Sequence, residues 1–228
     1  MQKVDLEKIE IRELPWDESR VIYVTDYIKS MGDSKKTFNF FPNALSPHSH
    51  KVSLDELITN HPDEFEKRLT KLMMDVPLII VVIDREAKKT IGYGHLRFLV
   101  CSKGTKDLAG NSVLGGAPDL NSGVDLAMGV IPEYQGLGLG SGMMKVLIFK
   151  FLEMHKERVE NLRNIWPDCN GEKNQPLKDL KGFGIYDDPT IYLTVSKDNE
   201  PAINLYKKFG FQVTEERENE YQMKRTFT

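Results

Sequence analysis

Cysteine is scarce: Cys101 and Cys169 are the two in 228 residues. That is too few for a disulfide framework and fits a reducing compartment. Positive charge is not in excess either, since 31 lysines and arginines face 34 acidic residues for a net charge of −3. This argues against a nucleic-acid partner. Long apolar runs are missing as well. VPLIIVVI, from Val76, is the longest, far short of the roughly 20 residues that cross a bilayer. The opening MQKVDLEKIEIRE has no apolar segment of the secretory kind. His48 and His50 have no third ligand at a recognisable spacing, so no metal is expected. Together these absences predict a soluble, cytoplasmic protein with no membrane or nucleic-acid partner. The chain is long enough for a full core, and with no internal repeat it is expected to form a single domain over residues 1–228.

What is present alternates between strand and helix patterns. IEIREL, from Ile9, has strand alternation, and RVIYVTDYIKSMG places Val21, Val24 and Ile28 at helical spacing before Gly32. SLDELI, from Ser53, reads as a capping box. FEKRLTKLMM sets Phe65, Leu69, Leu72 and Met73 on one helical face. PLIIVVID (77–84) and TIGYGHLRFLV (90–100) flank the polar turn REAKK and predict a hairpin. Residues 101–123 read as a loop insertion, VDLAMGVI (124–131) as a buried strand, and a helix is expected from Ser141 to about Asn164. Residues 165–189 read as a surface insertion folding back over the stripe of Val159, Leu162 and Trp166. TIYLTVS is a strand. DNEPAINLYKKFG is a helix with proline in its first turn and Gly210 at its end, and FQVTEERE and EYQMKRTF are closing strands.

The unusual segment is GVIPEYQGLGLGSGMMKVL, from Gly129 to Leu147, with glycine at 136, 138, 140 and 142. Inside a helix each glycine costs up to about 1 kcal/mol relative to alanine. A strand, a glycine-rich turn and a helix make a phosphate site from backbone amides and the helix dipole. Two common versions are excluded. Lys145 is not followed by serine or threonine, as a nucleotide-triphosphate loop requires, and Ser141 and Met143 break a dinucleotide pattern. What remains is Q-x-x-G-x-G, from Gln135 to Gly140, after a V-x-P-x-Y-like strand end. It resembles the pyrophosphate loop of the GNAT superfamily of acyl-CoA-dependent N-acetyltransferases. SKDNEPAINLYKKFGF, from Ser196, resembles that family's N-x-x-A-x-x-L-Y-x-[KR]-x-G-F unit at the expected distance.

The resemblance implies an α/β (α+β) fold: a mixed, mostly antiparallel sheet of about seven strands flanked by about four helices. It implies acetyl-CoA as cosubstrate, no metal, and a primary amine, on a small molecule or a protein, as acceptor attacked in a ternary complex; a homodimer is allowed. The backbone of Met128, Gly129 and Val130 would pair with the pantetheine arm. Gln135, Gly136, Leu137, Gly138, Leu139, Gly140 and Ser141 would form the pyrophosphate loop, with Gly138 and Gly140 leaving room for phosphate oxygens. Acyl transfer must deprotonate the amine, at about 4–5 kcal/mol for an alkylamine at pH 7, and protonate the departing thiolate. By resemblance Tyr206 gives the latter proton; its bland alternative is packing with Ala202, Leu205 and Phe209. Asn199 would contact the cofactor or simply cap its helix. Thr194 stands where the ribosomal-protein type has a glutamate base, leaving Asp125 or a water chain. Glu133 reads as solvated and His95 as a hydrogen-bonded core residue. The cluster Glu215, Glu216, Glu218 and Glu220 fits either a cationic acceptor or a solvated hairpin end. The alternative function is a non-catalytic acyl-CoA-binding or sensing domain of the same fold.

Overall fold

The computed structural model describes residues 5–31, 58–74, 76–98, 123–165 and 189–227. The expectations for Gly32, His48, His50, the Ser53 box, Cys101, Cys169, Trp166 and most of both insertions lie outside these residues, as do the side chains of Val159 and Leu162. The elements run β1 (Ile9–Glu13), α1 (Ser19–Met31), α2 (Pro62–Met74), β2 (Leu78–Asp84), β3 (Lys89–Phe98), β4 (Gly123–Val130), α3 (Leu139–Ile165), β5 (Thr190–Ser196), α4 (Glu200–Lys208), β6 (Gln212–Glu216) and β7 (Glu220–Thr226). The strands form a seven-stranded sheet in the order β1-β2-β3-β4-β5-β7-β6. β4 and β5 are parallel, and the pairs β1/β2, β2/β3, β5/β7 and β6/β7 are antiparallel. The expected mixed sheet is therefore present, with four α-helices among the described residues. None of the described helices is long and apolar enough to cross a membrane.

The chain gathers into two compact units, Met1–Arg97 with Leu126–Ile148 and Phe98–Asp125 with Phe149–Thr228. In the first, β2 is an apolar run flanked by β1 and β3, and Ile79, Ile80, Val81 and Val82 are wholly buried. α1 contacts α2 and β2. Its Val21, Val24 and Ile28 are buried as their spacing predicts, and so are Phe65, Leu69, Leu72 and Met73 of α2. Each such side chain contributes about 1.5–3 kcal/mol on burial. Arg20, at 2% exposure, is buried among them. Its guanidinium donates to the carbonyls of Pro15 at 2.6 Å, Val76 at 2.7 Å, Met73 at 3.2 Å and Leu14 at 3.3 Å, and lies over the Trp16 ring. This one cation satisfies carbonyls around the end of α2 that burial would otherwise leave orphaned.

Of the boundaries that differ from the sequence reading, two bear on the glycine loop and the strand before it. α3 begins at Leu139 rather than Ser141, because Gly142 N–H already bonds the Gly138 carbonyl at 3.1 Å. Gly140 and Gly142 thus belong to the helix. A Cβ on Gly142 would lie 3.2 Å from Ile11 Cδ1, so this glycine serves close packing. β4 starts one residue early, at Gly123. It is not buried on both faces: Val124 and Leu126 are buried, while Asp125 and residues 127–130 are half-buried.

In the second unit Ile191, Leu193 and Val195 of β5 are buried, and β5 pairs along its full length with β7. α4 opens with Asn199, whose Oδ1 accepts from Ala202 N–H at 3.3 Å, and Pro201 occupies the first turn. It closes at Phe209 with Gly210 at φ +80°, the left-handed conformation that ends helices. Arg225 of β7 donates to the Phe209 carbonyl at 2.6 Å and stacks 4.2 Å over the Phe227 ring. At the β6/β7 hairpin, Arg217 bonds Glu215 and Glu220, while Lys197 bonds Glu216. Three of the four acidic residues are therefore paired locally, which favours the solvated hairpin end over an acidic recognition surface.

Candidate functional site

In the first unit β4 runs into a short 3-10 turn, Pro132–Tyr134, and then into the glycine loop. Ile131 N–H bonds the Ile91 carbonyl at 2.9 Å. Gln135 folds its side chain back, donating from Nε2 to the Val130 carbonyl at 2.8 Å. Gly136 and Gly138 both hold φ +80°, which costs an L-residue roughly 1–2 kcal/mol. A Cβ at either position would meet nothing within 4 Å. The protein therefore requires these glycines for backbone conformation, and the space beside them is open. The first amides of a helix, here those at the start of α3 from Gly138 to Ser141, have no intrahelical acceptor. With the dipole's partial charge of roughly +0.5, this loop suits an anion with several oxygens, such as a diphosphate. Leu139 anchors it, buried at 9% exposure. Glu133 is exposed, as expected.

In the second unit Tyr206 and Asp125 interact electrostatically. Tyr206 is 7% exposed, with its ring centroid 5.9 Å from that of Phe211. Burial, and secondarily the Asp125 carboxylate, push its phenol up to about 12. This changes the chemistry expected from the sequence: Tyr206 is a weaker acid than a free phenol and stays protonated at any physiological pH. Asp125 stands opposite Tyr192 in the β4/β5 ladder, which comprises the three pairs from Gly123 to Asp125. Met128, Gly129 and Val130 lie beyond those pairs. Thr194 is exposed on β5 and has no group able to act as a base. Asn199 caps α4, leaving its amide nitrogen as the part a cofactor could meet. Among the described residues no group of histidine, cysteine and carboxylate side chains could hold a metal ion.

No family model and no curated sequence relative matches this chain. Solved structures do. The ribosomal-protein-S5-alanine acetyltransferase of Vibrio fischeri is 14% identical over 97% of this chain and 94% of its own, with a TM-score of 0.49. The spermidine/spermine N-acetyltransferase of Vibrio cholerae is 14% identical over 96% and 94%, with a TM-score of 0.48. An N-acetyltransferase of Thermoplasma acidophilum, solved with coenzyme A, is 16% identical over 96% and 99%, with a TM-score of 0.46. All three are acetyltransferases.

The sequence reading had passed over two residues of the first unit. Tyr134 donates from its hydroxyl to Asp84 Oδ2 at 2.8 Å. Asp84 ends β2 and its Oδ1 accepts from the Glu86 and Ala87 amides, each at 2.9 Å. Burial alone would raise this carboxyl, but the hydrogen bonds from Ala87, Tyr134 and Glu86 hold it below the usual carboxylate range. An aspartate closing a strand before a turn is the one local signal that could have marked it. His95 behaves as expected. It is 4% exposed, with Nδ1 2.9 Å from the Tyr93 hydroxyl, and burial and the charge of Arg97 push it down to about 3.

Proposed function

We propose that the 228 residues act as a single GNAT-type N-acetyltransferase domain, a cytoplasmic enzyme transferring an acetyl group from acetyl-CoA to a primary amine by direct attack in a ternary complex. The observation that carries this reading is the Q-x-x-G-x-G loop itself. Gly136 and Gly138 are both left-handed with open space beside them, directly before the first amides of α3. The loop's shape and charge fit a diphosphate, and its residues Gln135 to Ser141 would hold the one in acetyl-CoA. The backbone of Met128, Gly129 and Val130 is assigned to the pantetheine arm, and Asn199 to a polar contact through its amide. When bound, acetyl-CoA supplies the thioester carbonyl.

Tyr206 is assigned to the leaving sulfur. A phenol at about 12 is a stronger base, once ionised, than a thiolate of the ordinary range near 8.5. Complete proton transfer would run uphill by about 5 kcal/mol. Tyr206 therefore acts by donating a hydrogen bond to charge developing on sulfur, with solvent completing the protonation. Burial, with the negative charge of Asp125 behind it, keeps that phenol neutral, and Asp125 is the carboxylate nearest in role to a base for the amine. A non-catalytic acyl-CoA-binding domain is the second reading, favoured by Thr194 in the position of the family glutamate. Calorimetric titration with acetyl-CoA, CoA and ATP, followed by thiol release over a panel of amines, decides between them. Acetyl-CoA binding with thiol release supports the enzyme, binding without release across the panel supports the sensing domain, and ATP binding alone removes both.

A further inference from the structure

We propose that Asp84 and Tyr134 form a latch that holds the glycine loop in its anion-binding conformation, making both of them positioning residues for the cofactor. The inference rests on the acyl-CoA reading of that loop. Gly136 and Gly138 carry more backbone freedom than any other residue type would, so ordering them on binding has the largest entropic cost. That cost falls if the chain entering the loop is already fixed. Three contacts fix it: Ile131 N–H on the Ile91 carbonyl at 2.9 Å, Gln135 Nε2 on the Val130 carbonyl at 2.8 Å, and the Tyr134 hydroxyl on Asp84 at 2.8 Å. The first joins the end of β4 to the neighbouring strand β3, and the second closes the turn on itself. The third ties the turn to the far end of β2, fifty positions away.

The anchor is itself rigid. Asp84 is 8% exposed, and its other oxygen is taken up by two amides of the β2–β3 turn. Tyr134 is therefore bonded to a carboxylate already held by backbone, and such charge-assisted bonds are about twice as strong as neutral ones. The geometry couples the hairpin turn at residues 85–88 to the start of the loop, two residues before the first left-handed glycine.

The test compares Tyr134→Phe, Asp84→Asn and the double variant with the parent, using two acyl donors: acetyl-CoA and S-acetylpantetheine, which lacks the diphosphate. Phenylalanine keeps the ring, and asparagine keeps an oxygen for the turn amides. The latch predicts a three- to tenfold rise in the Kd and KM for acetyl-CoA in each single variant, no further rise in the double, and an unchanged kcat. It also predicts unchanged kcat/KM with S-acetylpantetheine, which a merely structural loss would lower alongside. Unaltered acetyl-CoA affinity in Tyr134→Phe, equal losses with both donors, or multiplying effects in the double variant would each overturn the latch while leaving the acetyltransferase reading standing. A parent protein that binds no acetyl-CoA overturns that reading, and the latch with it. Should Asp84→Asn fail to fold, Tyr134→Phe with the two donors decides alone.

Discussion

Replacing Tyr206 by phenylalanine separates chemistry from packing. The ring contact with Phe211 at 5.9 Å survives the change, so at neutral pH the loss should stay within about 1 kcal/mol. Burial, with the Asp125 charge behind it, lifts the phenol from 10.0 to about 12, a two-unit shift worth about 3 kcal/mol. A raised pKa means the folded state retains its proton where the unfolded chain has lost it. The contribution is present in full below pH 10 and is lost as pH rises toward 12. Urea-unfolding curves should therefore run parallel for parent and variant up to pH 10, and above it the parent should lose up to about 3 kcal/mol more than the variant, the buried Tyr27 and Tyr93 acting equally in both. Turnover should fall roughly a hundredfold in the variant, the usual effect of removing one hydrogen-bond donor from developing negative charge. The parent's rate should show no falling limb near pH 10 from this group. Thiol release with an active amine, measured from pH 7 to 10.5, reads this out. Unchanged turnover in Tyr206→Phe, or identical alkaline stability in both proteins, would refute the assignment.

Gly138→Val should raise the acetyl-CoA Kd at least tenfold, since a β-branched residue at φ +80° reshapes the loop; calorimetry on folded variant is the check. His95→Gln should flatten the acid limb of stability. The histidine is held down to about 3, so its contribution is present above pH 6.5 and is lost below it at about 1.4 kcal/mol per pH unit, a slope the glutamine protein should lack in urea titrations between pH 7 and 4. Arg20→Met should cost about 4 kcal/mol by thermal unfolding, because four carbonyls lose their donor, and Arg20→Lys should recover little, lacking the planar fork.

Much of this was legible in the chain, for identifiable reasons. Period-3.6 patterns and apolar runs located the seven strands and four helices of the described residues, because the side chains that make them are the buried ones, as in Val21, Val24 and Ile28 or Ile79–Val82. The glycine loop was legible because a left-handed backbone needs a specific residue, and Gly136 and Gly138 supply it. What escaped were interactions between distant positions. Arg20 carries no local mark of burial, yet it is buried because carbonyls from residues 14, 15, 73 and 76 converge on it. The Tyr134–Asp84 bond is marked only by the aspartate that closes β2, and nothing local names Tyr134 as its partner. The strength of Tyr206 as an acid is not legible in the chain because burial, which sets it, belongs to the fold and not to the residue.

The stacked Arg225 has a practical consequence. It caps the helix carrying Tyr206 from the last strand, two residues before Phe227. Trimming the chain at residue 224, a cut that spares every residue assigned to cofactor or chemistry, would remove the partner of the Phe209 carbonyl together with the last two pairs of the β5/β7 ladder. Deletion series in which activity disappears with those last residues would report a lost helix cap and strand end and would mislead anyone mapping the substrate pocket by truncation.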